Sequence, residues 1–271
     1  MASREKSIIS QILDSLDTQQ GKYCQVIHKR GWLEYIKSGQ LVFSPNKMHR
    51  VLREVIDADG NRPRGESLFL LRECHKFTLM PDKLPMRTEE ALERFIVVSN
   101  DDNFYDQVPI GGGKESIDIG IGEDKEFTFV ELKPWHSSNS PLYALLESLK
   151  NLIEYRIIIE KKISQVHEYD KINLCILAPD TYYVDYGLLS KDGTPQESKL
   201  EIVRQLLNDL ADEFDTQITF KSLSFDQQNF NKYCNCLYDK NGFIGQEIVE
   251  ISKDDAMESL RYFNWNLLVS S

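Results

Sequence analysis

Apolar residues in the first 87 positions recur every three or four residues, which is the spacing of amphipathic helices. This spacing predicts helices within residues 7–16, 23–36 and 48–56. Ser44 and Pro45 precede the third segment and are residue types typical of a helix start. The first 87 residues are therefore predicted to be mainly helical.

From residue 88 onwards, helical patterns alternate with strand patterns. A helix is predicted from Thr88, because two glutamates fall in its first turn, where acidic side chains favour the helix dipole. Strands are predicted where apolar and polar residues alternate or where a short apolar run occurs. The further segments are strand 116–122, a turn at 122–126, strand 127–133, a helix from Ser140, strand 172–178, helix 196–213 and strand 216–224. This order predicts an α/β fold with a mixed β-sheet flanked by helices.

The composition excludes several classes of protein. No apolar run in the 271 residues approaches the roughly 20 that cross a bilayer, so no membrane partner is expected. Residues 1–6 lack the apolar stretch of a secretory signal. Five cysteines are an odd number and do not suggest a disulfide framework in a chain of this length. We therefore expect a cytoplasmic protein with reduced thiols.

Charge is unevenly distributed along the chain. Residues 1–87 hold 15 Lys and Arg against 10 Asp and Glu, a net charge of +5, whereas residues 88–271 hold 17 against 33, a net charge of −16. The change coincides with a candidate linker at 80–86 and suggests a basic N-terminal region, 1–87, followed by a second domain, 88–271. The basic region favours contacts with nucleic-acid phosphates, and the alternative is a helical lid that only completes the fold. The candidate phosphate contacts are Lys29, Arg30, Lys47, Arg50 and Arg53.

Two acidic residues face each other in the predicted hairpin. If its turn is centred between Asp124 and Lys125, Asp118 on the first strand lies opposite Glu131 on the second. Directly opposed residues have Cβ atoms roughly 4.5–5.5 Å apart. Two carboxylates at that distance repel each other unless a positive charge lies between them. Their hard oxygen atoms suit Mg²⁺ or Mn²⁺, so a divalent metal site is predicted at Asp118 and Glu131.

Lys133 and two glycines lie on the same face of this hairpin. Lys133 follows Glu131 by two residues, and side chains two apart on a strand point the same way. An ammonium beside a metal site stabilises developing negative charge or helps to orient and deprotonate a water. Gly120 and Gly122 carry no side chain on this face, so a substrate backbone is expected to approach there.

Asp118, followed after a hairpin by Glu131, Leu132 and Lys133, resembles the motif of the PD-(D/E)XK nuclease superfamily, which has the restriction-endonuclease-like fold. The resemblance covers about residues 88–225 and implies an αβββαβ core. It also implies that Asp118 and Glu131 bind the catalytic metal and that Lys133 acts on the attacking water. Ile117 stands where many members have proline, a position at which the family varies.

The resemblance implies further site residues on the helices. An acidic residue on the helix before the hairpin often joins the site in these enzymes, which makes Glu93 the expected catalytic residue and Glu90 the reserve. Some recombination-type exonucleases of the superfamily carry Gln-x-x-x-Tyr on the helix after the lysine. Asn151 and Tyr155 have this spacing, although the asparagine side chain is shorter than that of glutamine.

Glutamates and a histidine near the motif allow two interpretations. Glu147 and Glu154 are candidates for supporting acids, and the alternative is that both pair with Lys150 at a spacing of three or four residues. His136 lies three residues after Lys133 and within reach of a substrate, and the alternative is an ordinary loop histidine.

The sequence therefore predicts a metal-dependent nuclease that hydrolyses phosphodiester bonds, with DNA as the expected substrate. Restriction, defence, repair and mobile-element processing are all compatible roles. The alternative is a nuclease-fold module with a weak or inactive site that binds nucleic acid or a protein partner. Because many double-strand cutters pair two active sites, a homodimer is expected by analogy.

Overall fold

The computed structural model describes most of the chain. The described residues are 8–16, 31–58, 76–79, 103–110, 116–134, 137–161, 168–225, 237–239, 242–244, 249–252 and 263–271, together with Glu89, Leu92, Glu93, Ile96, Val97 and Asn100.

The helices are α1 (Ile8–Leu16), α2 (Trp32–Lys37), α3 (Pro45–Ala58), α4 (Pro141–Glu160), α5 (Asp180–Asp185) and α6 (Glu197–Phe214). The strands are β1 (Lys76–Leu79), β2 (Phe104–Pro109), β3 (Ser116–Glu123), β4 (Glu126–Leu132), β5 (Lys171–Pro179), β6 (Gln217–Phe225), β7 (Leu237–Asp239), β8 (Gly242–Ile244), β9 (Val249–Ser252) and β10 (Phe263–Ser270).

A mixed sheet of six strands forms the centre of the fold, in the order β10-β6-β5-β4-β3-β2. Strands β2, β3 and β4 are antiparallel neighbours, β4, β5 and β6 run parallel, and β10 returns antiparallel to β6. Parallel neighbours need a crossover connection, and α4 and α6 supply the two that are required. The predicted α/β fold with a mixed sheet flanked by helices is confirmed, and β2 and β10 are additions that the sequence pattern does not reveal.

Helix α4 is buried on nearly every side. Ser140 begins it, with its Oγ accepting a hydrogen bond from the backbone N of Tyr143 (3.3 Å), and Pro141 occupies the first turn as predicted. Fifteen of its 20 residues are buried, because the sheet packs on one side and α1 and α3 pack on the other. A helix buried in this way need not show a single apolar stripe. No helix in the described part of the chain is both long and apolar enough to cross a membrane.

The described helices of residues 1–87 share a hydrophobic core with the sheet. Ile12 and Leu16 of α1 and Met48 and Leu52 of α3 are almost completely buried in one apolar cluster with residues of α4. Strand β1 pairs with β9, which lies near the other end of the sequence. The division between residues 87 and 88 stays a prediction based on charge, because that boundary lies outside the described residues.

Candidate active site

The hairpin of β3 and β4 brings Asp118 and Glu131 together. Its register pairs Ile119 with Val130 and Glu123 with Glu126, and the same register extended by one residue sets Asp118 opposite Glu131. The turn falls at Asp124, whose φ of 45° lies in the left-handed region that tight turns require. The register predicted from the sequence is therefore confirmed.

Lys133 lies at the end of β4 with its ammonium surrounded by carboxylates. Its Nζ lies 2.6 Å from Glu131 Oε1, 3.0 Å from Glu147 Oε2 and 3.5 Å from Glu89 Oε1. Its backbone N donates to the carbonyl oxygen of Leu177 (2.9 Å), which fixes the main chain against β5. Burial lowers the pKa of Lys133, but the surrounding carboxylates raise it by more, so the pKa lies well above its usual value. Lys133 is therefore a fixed positive charge.

Asp118 is oriented by the neighbouring strand. Its Oδ2 accepts a hydrogen bond from the backbone N of Leu132 (2.8 Å), which directs the carboxyl group towards the end of β4. Burial and the nearby Glu131 raise the pKa of Asp118 well above its usual value, and Lys133 opposes this increase. These surroundings favour the protonated form of Asp118, and a cation that joins the site would favour the carboxylate.

Glu93 is a deeply buried acid of the cluster, with 2% of its surface exposed. Gln107 Nε2 donates to its Oε2 (3.5 Å). Burial, followed by the neighbouring carboxyls of Asp106 and Asp118, raises the pKa of Glu93 to about 12. The residue expected on the helix before the hairpin is thus close to Asp118, and it is neutral at pH 7.

Glu147 joins the site from α4, and two further acids were not predicted. The carboxylate of Glu147 pairs with Lys133 (3.0 Å), and burial followed by the charge of Glu131 raises the pKa of Glu147 to about 8. Glu89 and Asp106 are the acids that sequence analysis missed as site residues. Glu89 and Glu93 are four residues apart, so a shared helix face was the available signal for Glu89.

The carboxylate oxygens of the acidic cluster are the type of ligand that a divalent cation such as Mg²⁺ prefers. Glu93 Oε1 and Asp106 Oδ1 are buried oxygens, and the two side chains are neighbours in the acidic cluster. Within the described ranges, no group of three or more His, Cys, Asp or Glu side chains is arranged to hold a metal ion. Mg²⁺ often uses only one or two protein carboxylates with water and phosphate oxygens, so Asp118 and Glu131 are a sufficient protein contribution. The acids of the cluster are Glu89, Glu93, Asp106, Asp118, Glu131 and Glu147.

The two glycines of β3 serve packing, which corrects their predicted role in substrate access. A Cβ at Gly120 would lie 2.4 Å from Phe127 Cζ and 2.9 Å from Val108 Cγ2. A Cβ at Gly122 would lie 3.3 Å from Tyr105 Cε2. Aromatic rings therefore occupy the space that a substrate backbone was expected to enter.

Substituting Gly120 with alanine is expected to lower the free energy of unfolding by about 1–3 kcal/mol, which is typical of overpacking a core. The added methyl would overlap the ring of Phe127, which is fully buried. Urea unfolding of Gly120→Ala and of the control Gly122→Ala measures the difference. An equal loss in both variants would contradict this account, since the nearest atom at Gly122 is 0.9 Å farther away.

Other predicted residues of α4 lie farther along the helix. Asn151 is 4% exposed, one turn beyond Glu147. Tyr155 packs edge-on against Phe129, with ring centroids 5.8 Å apart, and its Oη accepts a hydrogen bond from the backbone N of Tyr169 (2.9 Å). These contacts give Tyr155 a structural role.

Glu154 follows the alternative interpretation, because its Oε2 lies 3.0 Å from Nζ of the buried Lys150. Glu147 therefore pairs with Lys133 of the candidate site, whereas Glu154 pairs with Lys150.

The basic residues of α3 lie beside the far end of α4. Lys47, Arg50 and Arg53 are exposed. His49, on the same helix, has Nε2 3.3 Å from Glu160 Oε2. Glu160 follows Glu147 by thirteen residues, which corresponds to about 20 Å along a helix. Lys29, Arg30, Glu90 and His136 lie outside the described residues.

The described part of the site thus brings together Asp118, Glu131 and Lys133, with Glu93 and Glu147 beside them. A metal ion at this site stays a prediction, as does membership of the nuclease superfamily. Comparison of the chain with protein-family models, curated proteins and solved structures found no match.

Proposed function

We propose that this protein is a metal-dependent nuclease of the PD-(D/E)XK type that hydrolyses phosphodiester bonds in DNA. The observation that carries the proposal is the opposed pair Asp118 and Glu131 with the buried Lys133 at the end of the same hairpin. The element order supports it, since helical residues between 89 and 97 precede β2, β3 and β4, and α4 and β5 follow. This is the αβββαβ order that the resemblance implies.

Asp118 and Glu131 are the residues that would bind Mg²⁺ or Mn²⁺. When bound, such an ion lowers the pKa of a water and neutralises charge on the phosphate. The backbone N of Leu132 holds the Asp118 carboxylate in position, which reduces the reorganisation that ion binding requires. Glu93 lies close enough to Asp118 for its protonation to lower the negative charge beside the proposed metal ligands.

Lys133 is better suited to stabilising negative charge than to accepting a proton. Its raised pKa keeps it an ammonium, and an ammonium has no lone pair with which to act as a base. It can donate to a phosphate oxygen or to an attacking hydroxide. Its donors face Glu131, Glu147 and Glu89, so one of these contacts must be exchanged when substrate binds.

The exposed cations of α3 are proposed to contact the DNA backbone away from the reacting phosphate. Lys47, Arg50 and Arg53 follow one another at three-residue spacing, which groups them on one side of the helix. Contacts of this kind carry no sequence information and weaken as salt concentration rises.

Asp118→Asn is expected to lower cleavage at least about 100-fold, because it removes the charge that binds the metal while keeping an acceptor for Leu132 N. The test incubates plasmid and single-stranded DNA with Mg²⁺, with Mn²⁺ and with EDTA. Asp170→Asn is the matched control, since Asp170 forms an exposed ion pair with Lys125 (3.1 Å) outside the acidic cluster.

Cleavage that persists in EDTA, or in the Asp118→Asn variant, would overturn the proposal. DNA binding that weakens with salt, with no cleavage under any condition, would favour the binding-module alternative instead. The two DNA forms report the strand preference in the same experiment.

A further inference from the structure

Three tyrosines at α5 each donate a hydrogen bond to a backbone carbonyl. Tyr182 Oη donates to the carbonyl oxygen of Asn139 (2.9 Å), and Tyr186 Oη donates to that of Ser137 (2.9 Å). Tyr183 Oη donates to the carbonyl oxygen of Ile176 (3.0 Å), which lies in β5. Two of the three hydroxyls therefore hold the segment that follows β4, and the third holds the sheet.

The segment held in this way connects two parts of the candidate site. It follows Lys133 at the end of β4 and leads into α4, which carries Glu147. Within the segment, Ser137 N donates to the carbonyl oxygen of Pro134 (3.3 Å), and Asn139 N donates to Ser137 Oγ (3.2 Å). The hydroxyls of Tyr182 and Tyr186 add hydrogen bonds to this segment from a separate helical region.

The tyrosine hydroxyls lie in a protected environment beside the site. Tyr182 is fully buried and Tyr186 is 8% exposed, with ring centroids 4.9 Å apart. Burial raises the pKa of Tyr182 well above its usual value, and the charges of Lys133 and Glu147 also act on it. The Tyr182 hydroxyl is thus close to the acidic cluster while bonding to the backbone rather than to any member of the cluster.

We propose that Tyr182 and Tyr186 are positioning residues, which hold backbone 137–140 and so fix Lys133 relative to Glu147. The inference rests on the proposed nuclease function, since it concerns the placement of the lysine used in that reaction. An error of about 1 Å in the placement of a reacting group costs as much as about 100-fold in rate. Neither tyrosine needs to touch substrate for this effect.

The N-terminal region supports the same contact. Trp32 of α2 is fully buried, and its Nε1 donates to the carbonyl oxygen of Tyr186 (3.4 Å). Trp32, Tyr186 and Ser137 therefore form a continuous connection from the N-terminal region to the segment after Lys133. The N-terminal region accordingly contributes to the arrangement of the active site as well as to the proposed binding of DNA.

The test compares Tyr182→Phe and Tyr186→Phe with Tyr183→Phe. Each variant keeps its ring and loses one hydroxyl that donates to a buried or half-buried carbonyl, so similar losses of thermal stability are expected. Hydrogen exchange is measured in peptides covering residues 133–143, and kcat and KM are measured for Mg²⁺-dependent DNA cleavage. We expect about tenfold faster exchange and about tenfold lower kcat in Tyr182→Phe and Tyr186→Phe, with KM unchanged. In Tyr183→Phe the exchange rate and kcat are both expected to stay within about twofold of the values for the unmodified protein.

Equal exchange and equal kcat in the three variants would overturn the positioning role. A loss of kcat that tracks thermal stability alone, and so also appears in Tyr183→Phe, would overturn it as well. Faster exchange confined to Tyr182→Phe and Tyr186→Phe, in a protein that cleaves no DNA, would overturn the nuclease function while leaving the two hydrogen bonds established. The two failures are therefore distinguishable.

Discussion

Replacing Lys133 with methionine is expected to lower the rate of Mg²⁺-dependent DNA cleavage at least about 100-fold. Lys133 is the cation about which Glu131, Glu147 and Glu89 are arranged, and its ammonium is fixed before substrate arrives. A charge that is already oriented in a buried site stabilises a developing negative charge far better than one in water. Initial rates at saturating Mg²⁺ and DNA measure the effect on kcat.

Lys150→Met is the matched control for this prediction. Lys150 is also a buried lysine, 6% exposed, and pairs with Glu154 on the same helix that carries Glu147. Removing either lysine takes a positive charge away from a buried carboxylate, which costs several kcal/mol, so both variants are assayed well below their melting temperatures. Equal activity losses in the two variants, or full activity in Lys133→Met, would contradict a direct role for Lys133.

The core of the candidate site could be predicted because it depends on residues close together in the sequence. A turn at Asp124 and Lys125 determines which residues of β3 and β4 face each other. Strand alternation then puts Asp118, Glu131 and Lys133 on one face. No information about the rest of the fold was needed for this step.

The edge strands β2 and β10 could not be predicted in the same way. Within β2, Gln107 has a φ of 44°, which interrupts the regular extended backbone that an alternating pattern describes. In β10, the register shifts between Leu267 and Val269, and this bulge breaks the alternation. Pairing partners distant in the sequence decide whether such segments form strands.

The full acidic cluster and the role of the glycines depend on tertiary packing. Asp106 of β2 lies beside Glu93, and Glu147 of α4 contacts Lys133, and both join the cluster only after the sheet and its crossover helix have formed. Gly120 and Gly122 were interpreted as an open surface, because nothing in the sequence indicates that Phe127 and Tyr105 cover them. The sequence pattern thus predicted the central charged residues of the candidate site but not the side chains packed around them.

In EDTA, the free energy of unfolding is expected to fall as pH rises from 6 to 8, and Glu93→Gln is expected to reduce this dependence. The folded state raises the pKa of Glu93 from 4.5 to about 12, so above pH 4.5 the unfolded chain releases a proton that the folded protein keeps. The contribution of Glu93 to the free energy of unfolding is therefore largest below pH 4.5, and it is lost progressively as pH rises towards 12. One such proton contributes a slope of at most about 1.4 kcal/mol per pH unit.

Urea unfolding of the two proteins at pH 6, 7 and 8 measures this slope. Glutamine fills nearly the same volume as glutamate and has no proton to release. Between pH 6 and 8, the free energy of unfolding of Glu93→Gln should therefore fall by up to about 3 kcal/mol less than that of the unmodified protein. Glu213→Gln is the control, since Glu213 is exposed on α6 and should leave the slope unchanged. Added Mg²⁺ should also reduce the dependence if it binds beside Asp118, because a cation there favours ionised carboxylates. Identical slopes for Glu93→Gln and the unmodified protein in EDTA would contradict the raised pKa, because Glu93 would then be ionised in both the folded and the unfolded state.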